Sequence, residues 1–242
     1  MALYYQVAVN IPVKQSVYTY KSEQEFVKGD LVKVPLGKRE AMGVILGVTS
    51  PEENDKLEGI DIKFIKGLIE NSFRLTDQEL NLYEWMAKYY HYSFGKLVFD
   101  CLPKILKRPR KPDFLVGEGK PLGFSFNQNQ QEIFEKIEHS NLNAFNQHYI
   151  HGVTGSGKSV IYLELMKKII SQGKSVQFLL PEINLTPQFT DFFTEHLDCP
   201  VYTYHSGVTP SEKYNIWKAL HEEDKPVLVM GVRSSIFLPI TN

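Results

Sequence analysis

Eight consecutive residues, Gly152, Val153, Thr154, Gly155, Ser156, Gly157, Lys158 and Ser159, constrain this chain more than anything else in it. They fit the pattern G-x-x-x-x-G-K-[S/T], in which glycines let successive backbone amides turn inward around a phosphate while the following helix presents its positive end. Such a loop belongs between a strand and a helix, and the sequence offers both, an apolar strand at 148–151 and a helix at 159–171. Lys158 is placed to reach the β and γ phosphates, and the Ser159 hydroxyl to hold Mg²⁺ through the nucleotide. All eight residues are therefore expected to bind a nucleotide. Lys158 and Ser159 are the expected catalytic pair, and Ser159 is the expected metal ligand.

The surroundings set the fold class. From Asn127 onward, helical stretches at 130–137, 159–171, 187–196 and 210–220 alternate with apolar strands at 148–151, 175–180, 201–204 and 227–231. This alternation predicts parallel βαβ units. Residues 1–75 instead read as strands, with apolar runs at 3–11, 31–35 and 41–48 and a turn every ten or so residues, which suggests a small barrel or sandwich. Thr76 and Glu79 form a capping box, and Leu80, Tyr83, Trp85, Met86, Tyr89 and Tyr90 follow at helical spacing, so a helix closes this region. Pro103, Pro109, Pro112, Gly117, Gly119, Pro121 and Gly123 then mark a linker. The expectation is α/β overall, with a β-rich domain at 1–105, a basic Pro/Gly linker at 106–125 and a P-loop lobe at 126–242.

Composition removes several other classes. With 43% hydrophobic and 23% charged residues, the chain can bury a core. The first 13 residues are uncharged but hold Gln6, Asn10 and Pro12, so they suit neither a signal peptide nor a membrane span, and a cytoplasmic protein without membrane contact is expected. Two cysteines, Cys101 and Cys199, are too few for a disulfide framework or a structural zinc site and read as buried thiols. The net charge of -1 conceals an asymmetry, since residues 1–112 hold 17 Lys/Arg against 14 Asp/Glu and the remainder 10 against 14. Lys104, Lys107, Arg108, Arg110 and Lys111 form an acid-free run that reads as a solvated linker or as an arm for phosphates.

Nucleotide hydrolysis needs an acid at the end of a second strand to organise Mg²⁺ and water. Only Glu182 follows an apolar strand directly, with Pro181 intervening, and the strand at 227–231 runs into Val232, Arg233 and Ser234. The residues alone leave open a binder without turnover, a chain that stops early, a non-catalytic module, or a small phosphotransferase using Glu182.

Four strings occur in order: the phosphate loop, then 180–188 (LPEINLTPQ), then His205-Ser206-Gly207, then 231–237 (GVRSSIF). Together they resemble the helicase motifs of the PriA replication restart helicases, the primosomal protein N-prime family of superfamily 2. The strings at 32–38 (VKVPLGK) and 89–103 (YYHYSFGKLVFDCLP) are similar to that family's 3'-DNA-end-binding domain.

The resemblance implies a partial RecA-like lobe in an ATP-dependent 3'-to-5' DNA helicase that recognises stalled forks and restarts replication by primosome assembly. It implies ATP and Mg²⁺ as cofactors and forked or single-stranded DNA with a 3' end as partner. Primosome and single-strand-binding proteins would be further partners. By motif position, Tyr18 stacks on the terminal base, Gly37 with Lys38 forms the hairpin turn, Lys63 is the family's lysine, and Thr19 falls at or near an acid that meets the 3' hydroxyl. Gln130 takes the adenine-reading role, with Gln128 and Gln131 as neighbours. Thr186, Gln188, Arg233 and Ser234 would lie along single-stranded DNA.

The family carries a winged-helix domain where this sequence has the short linker. After the last matched motif it continues into a D-E-E-H strand, cysteine-rich zinc modules and a second lobe. None of these strings occurs in the 242 residues. The chain is thus expected to be an N-terminal portion that binds DNA and ATP but is incomplete for hydrolysis.

Overall fold

A computed structural model describes residues 2–50, 59–105, 114–123, 125–140, 144–181, 186–222 and 224–240. They divide into two compact units, Met1–Arg110 with Pro210–His221, and Lys111–Thr209 with Glu222–Asn242.

The first unit is built on strands β1 (Leu3–Val9), β2 (Val17–Ser22), β3 (Leu31–Leu36), β4 (Arg39–Val48) and β5 (Gly67–Leu68). They form one antiparallel sheet in the order β2-β1-β4-β3-β5. Residues 63–68 close it. Lys21 in β2 donates its amide to the Lys63 carbonyl at 3.0 Å and accepts from Ile65 at 2.9 Å, while Lys66 donates to Lys33 in β3 at 2.9 Å and β5 continues along β3. One segment therefore satisfies both outer strands, and of the barrel or sandwich expected the barrel forms, with no free outer edge along this stretch. Its interior is filled by residues that alternate along the strands, Tyr5, Val7 and Val9 from β1, Val32 and Val34 from β3, and Ile45.

Two helices follow. In α1 (Asp77–Tyr89), Thr76 Oγ1 accepts from the Glu79 amide and the Glu79 carboxylate accepts from the Thr76 amide, which is the capping box read in the sequence. In α2 (Phe94–Cys101), the Ser93 cap also donates to the Ile11 carbonyl at 2.7 Å, and the Gly95 amide donates to Ser16 Oγ at 3.0 Å. Both bonds tie α2 to the loop between β1 and β2. A helix expected in the second half of the chain, α6 (Pro210–Glu222), places residues 210–221 in this unit. Trp217 is fully buried with Phe73 stacked on it at 5.5 Å, and Tyr214 donates to the Asn71 carbonyl at 2.5 Å.

The second unit holds α3 (Gln128–Glu138), α4 (Lys158–Ser171), α5 (Thr186–His196) and a sheet in the order β6-β8-β9-β7. Strands β7 (Val176–Leu179), β8 (Pro200–Tyr204) and β9 (Leu228–Gly231) are parallel, as the alternation predicts. Leu163, Met166, Phe193, Leu197, Leu228 and Met230 make its core.

Two expectations are corrected here. Part of the supposed linker is structured: β6 (Leu115–Val116) pairs antiparallel with β8, and the Gly117 and Lys120 amides donate to Cys199 and Glu195, which makes the sheet mixed. Of the basic run that starts at Lys104, residues 106–111 lie outside the described residues. The strand expected at 148–151 is absent, for those residues pair with no strand among those described, and Tyr149 is 89% exposed. A strand is stable only when a neighbour takes its amides and carbonyls, and four residues flanked by histidines bury too little to compensate.

Gly95 provides a test of the tie between α2 and the barrel. A Cβ there would lie 2.0 Å from the Val9 carbonyl oxygen, backbone against backbone. Gly95→Ala is expected to destabilise the first unit by about 2–4 kcal/mol, lowering its thermal midpoint by roughly 10 °C or more in a melt followed by circular dichroism. An unchanged midpoint would show that α2 does not need this approach.

Candidate nucleotide and DNA sites

Helix α4 begins at Lys158 behind Gly157, whose φ of 80° is in the left-handed region that glycine adopts without strain. A Cβ on Gly157 would come 2.3 Å from Gln130 Nε2, so any other residue there would also push the Gln130 side chain aside. Lys158 folds back into its own loop. Its ammonium donates to the carbonyls of Gly152 at 2.5 Å and Val153 at 2.9 Å, with Ser156 Oγ at 3.5 Å. The loop thus gathers a cation and turning amides at one point, which is the chemistry of a phosphate cradle.

Above this cradle stands α3. Its Asn127 cap accepts from the Gln130 amide at 2.9 Å, and Gln130 Oε1 accepts from the Asn127 amide at 3.0 Å. This reciprocal bond fixes the Gln130 side chain and turns Nε2 toward the phosphate loop, 3.4 Å from the Ser156 carbonyl. Gln128 and Gln131 point elsewhere, donating to Glu132 and Glu135 along the helix. A cavity of about 570 Å³ opens between Gln130 and Lys158 and is walled also by Asn129, Lys136, Ile150 and His151. That volume lies within the usual range for small-ligand sites. Asn129, Lys136 and His151 were not singled out from the sequence, since only the packing of α3 beside the loop brings them in. Val153, Thr154 and Gly155 lie in the exposed part of the loop, and Ser159 in the first turn of α4. Among the described residues no group of three His, Cys, Asp or Glu could hold a metal ion, so Ser159 offers a lone hydroxyl.

The residues expected to touch single-stranded DNA lie toward the carboxyl ends of the parallel strands. Arg233 and Ser234 are exposed in a 3-10 turn (Arg233–Phe237) after β9, anchored by buried Ser235, whose carbonyl accepts from Gln177 in β7. Gln188 is exposed on α5 and Thr186 opens that helix, its side chain outside the described residues, as is Glu182. His205 accepts from the Gly207 amide and closes a turn after β8.

In the first unit, antiparallel pairing gathers the 10–16 loop, the start of β2 and the Gly37–Lys38 turn at one end of the barrel. Tyr18 and Thr19 sit near that end of β2, with Tyr18 36% exposed. Tyr18 shares its strand face with Tyr20, which reaches across the barrel to donate to the Pro35 carbonyl at 3.0 Å. Burial pushes the Tyr20 phenol above its ordinary range, with Tyr18 adding to the shift. Lys63 lies on the segment beside β2. It bonds Asp61 and thereby holds that carboxyl below its usual value, but both groups are exposed, so the pair adds little stability. Cys101 and Cys199 are pushed up to about 11 by burial and carry their protons at neutral pH.

No helix among the described residues is long and apolar enough to cross a membrane.

Residues 6–103 match a family model described as the PriA 3'DNA-binding domain (3'BD), and residues 123–236 match one described as type III restriction enzyme, res subunit. The replication restart protein PriA of Rickettsia conorii is 30% identical over 226 residues, 93% of this chain and 33% of that protein. The protein of the same name from Borreliella burgdorferi is 28% identical over 243 residues, 98% of this chain and 36% of its own length. That from Bacillus subtilis is 44% identical over 93 residues, 38% of this chain and 11% of its own. The chain spans about a third of the length of the relatives it matches end to end. With the end-binding and helicase-type regions in this order, and with relatives of one name along nearly all of it, the chain belongs to the PriA family of replication restart proteins.

Proposed function

We propose that this chain is the DNA-end-binding and nucleotide-binding part of an ATP-dependent 3'-to-5' DNA helicase for replication restart. Residues 1–105 would engage DNA, and the phosphate loop with α3 in the second unit would bind nucleotide. The observation that carries the proposal is the convergence of the Gln130 amide and the Lys158 loop on one nucleotide-sized cavity. A primary amide presents a donor and an acceptor side by side, as reading the edge of adenine requires. Phosphate oxygens would draw Lys158 from the Gly152 and Val153 carbonyls, because a charge-assisted bond to an anion is the stronger one. Mg²⁺ would arrive with ATP, taking the Ser159 hydroxyl and phosphate oxygens as ligands and neutralising charge on the β and γ phosphates. Turnover needs more: β8 leads into His205 and β9 into Val232 and Arg233, and neither supplies a carboxylate. The chain alone is expected to bind ATP and hydrolyse it slowly.

For DNA, Tyr18 supplies a stacking face at the barrel end, the Gly37–Lys38 turn allows close backbone approach, and Lys63 meets phosphate. Thr19 offers a hydroxyl to the strand end. Thr186, Gln188, Arg233 and Ser234 would follow single-stranded DNA along the sheet's carboxyl edge. Forked DNA, primosome components and single-strand-binding proteins are the proposed partners, and the cytoplasm the proposed location.

Titration with a fluorescent ATP analogue tests the nucleotide site. Lys158→Ala should weaken binding about 10- to 100-fold, the loss of a charge-assisted contact, and Gln130→Ala should reduce the preference for ATP over GTP. Unaltered affinity in Lys158→Ala would overturn this assignment.

The end-binding site is tested with a 3'-hydroxyl oligonucleotide. Tyr18→Ala should cost about 1–3 kcal/mol, and Lys63→Ala should lower the slope of log affinity against log salt by about one. Equal binding of free and 3'-phosphorylated ends would remove end recognition.

A further inference from the structure

We infer that a second nucleotide subsite lies beside the terminal-nucleotide site. It would be a cavity of about 390 Å³ walled by Lys14, Val17, Lys88, His91, Tyr92 and Phe94, and would hold the single-stranded DNA residues immediately upstream of the 3' terminus. The inference rests on the end-binding role proposed above for Tyr18.

Position comes first. The cavity draws Lys14 from the β1–β2 loop, Val17 from the first position of β2, and the rest from the end of α1 and the start of α2. These elements meet at the barrel end that carries Tyr18 and the Gly37–Lys38 turn, held there by the bonds from Ser93 and Gly95 to residues 11 and 16. Val17 and Tyr18 are neighbours on opposite faces of β2. A strand whose last base stacks on Tyr18 would reach the cavity by crossing the rim of β2 to the face on which Val17 sits.

The chemistry matches a nucleotide. Tyr92 and Phe94 give aromatic surface for a base, and Lys14 and Lys88 give cations for phosphate. The one acid in the wall, Glu84, is already paired with Lys88 at 2.8 Å, and among the described residues Lys14 pairs with no acid. Tyr92 is held in place: its hydroxyl donates to Asp100 at 3.1 Å and its amide to the Ala87 carbonyl at 2.9 Å.

His91 is the independent observation. It sits just past the Tyr90 cap of α1 with φ 52°, in the left-handed conformation that glycine adopts most readily at a helix end. An imidazole is strained there, and strain of this kind persists where a side chain has work to do. Here it sets a flat ring on the wall of the cavity next to Tyr92.

The test measures two- and four-residue oligothymidylates with free 3' hydroxyls, in competition against a labelled strand. The whole chain should bind the longer probe about tenfold more tightly. In His91→Gly and Lys14→Ala that ratio should fall to about two- or threefold, whereas Tyr18→Ala should weaken both probes together. His91→Gly relieves the backbone, so it should melt no lower than the parent, which separates lost binding from lost folding. Equal affinities for the two probes, or an unchanged ratio in both variants, would overturn the inference while leaving the Tyr18 site intact. Failure of both probes to bind the parent would defeat the end-binding proposal itself and this one with it. An unchanged ratio in Lys14→Ala alongside lost binding of an acidic peptide would assign the cavity to peptide and overturn the nucleotide reading.

Discussion

The requirement that every strand find a hydrogen-bonding neighbour governs both halves of this chain. In the first unit the requirement is met by closure, since residues 63–68 serve β2 through Lys63 and Ile65 and β3 through Lys66 and β5. Without that segment β2 and β3 would be outer strands of an open sheet, and the barrel would have no mouth to hold Tyr18 near the Gly37–Lys38 turn. Closure therefore both stabilises the unit and defines the end at which DNA binding is proposed. In the second unit the same requirement works by exclusion. Among the described residues β7 pairs only with β9, and residues 148–151, apolar enough to suggest a strand, have no ladder to join.

That contrast explains what could be read from the sequence. The Thr76–Glu79 capping box translated directly and starts α1 at Asp77, whereas the equally local cap of Asn127 and Gln130 starts α3 at Gln128, two residues ahead of the expected stretch. Both depend on contacts within four residues, which a linear pattern can hold. The residues 148–151 failed because strand formation depends on partners distant in sequence. The 114–123 stretch failed in the opposite sense. Its glycines read as a flexible connection, yet Gly117 is needed because a Cβ would fall 2.0 Å from the Leu197 carbonyl oxygen, in the close approach that joins this segment to the end of α5. Three glutamines near the start of α3 were equivalent in sequence. Only the coupling of Gln130 to the Asn127 cap singles one out, because a capping bond on Oε1 leaves Nε2 free to face the phosphate loop.

The same economy recurs at the phosphate loop. The Lys158 ammonium needs acceptors in its own loop, and here the carbonyls of Gly152 and Val153 take that part. Lys158 is thus held close to its place of action by contacts weaker than those a phosphate would make. On the proposed reading, nucleotide binding would exchange one set of bonds for a stronger set with little reorganisation, because the glycine turn at Gly157 and the cap at Asn127 already fix the two sides of the cavity.

The charge asymmetry of the sequence can also be placed. The excess of lysine and arginine before residue 112 does not form one continuous basic face, since Lys63, Lys66, Lys88 and Lys96 each bond a nearby acid. Exposed pairs of this kind exchange readily and contribute little to stability, so the lysines remain available to a polyanion that offers many charges at once. Salt-sensitive attraction of this sort brings DNA to the unit without selecting a position on it. Selection has to come from directional groups at the barrel end, where an exposed tyrosine, a glycine turn and a strained histidine are brought together by strand pairing and by the bonds from α2 to the β1–β2 loop. On the proposed reading, position on the strand would be set by stacking and shape and capture by charge, two properties that can be altered independently by substitution.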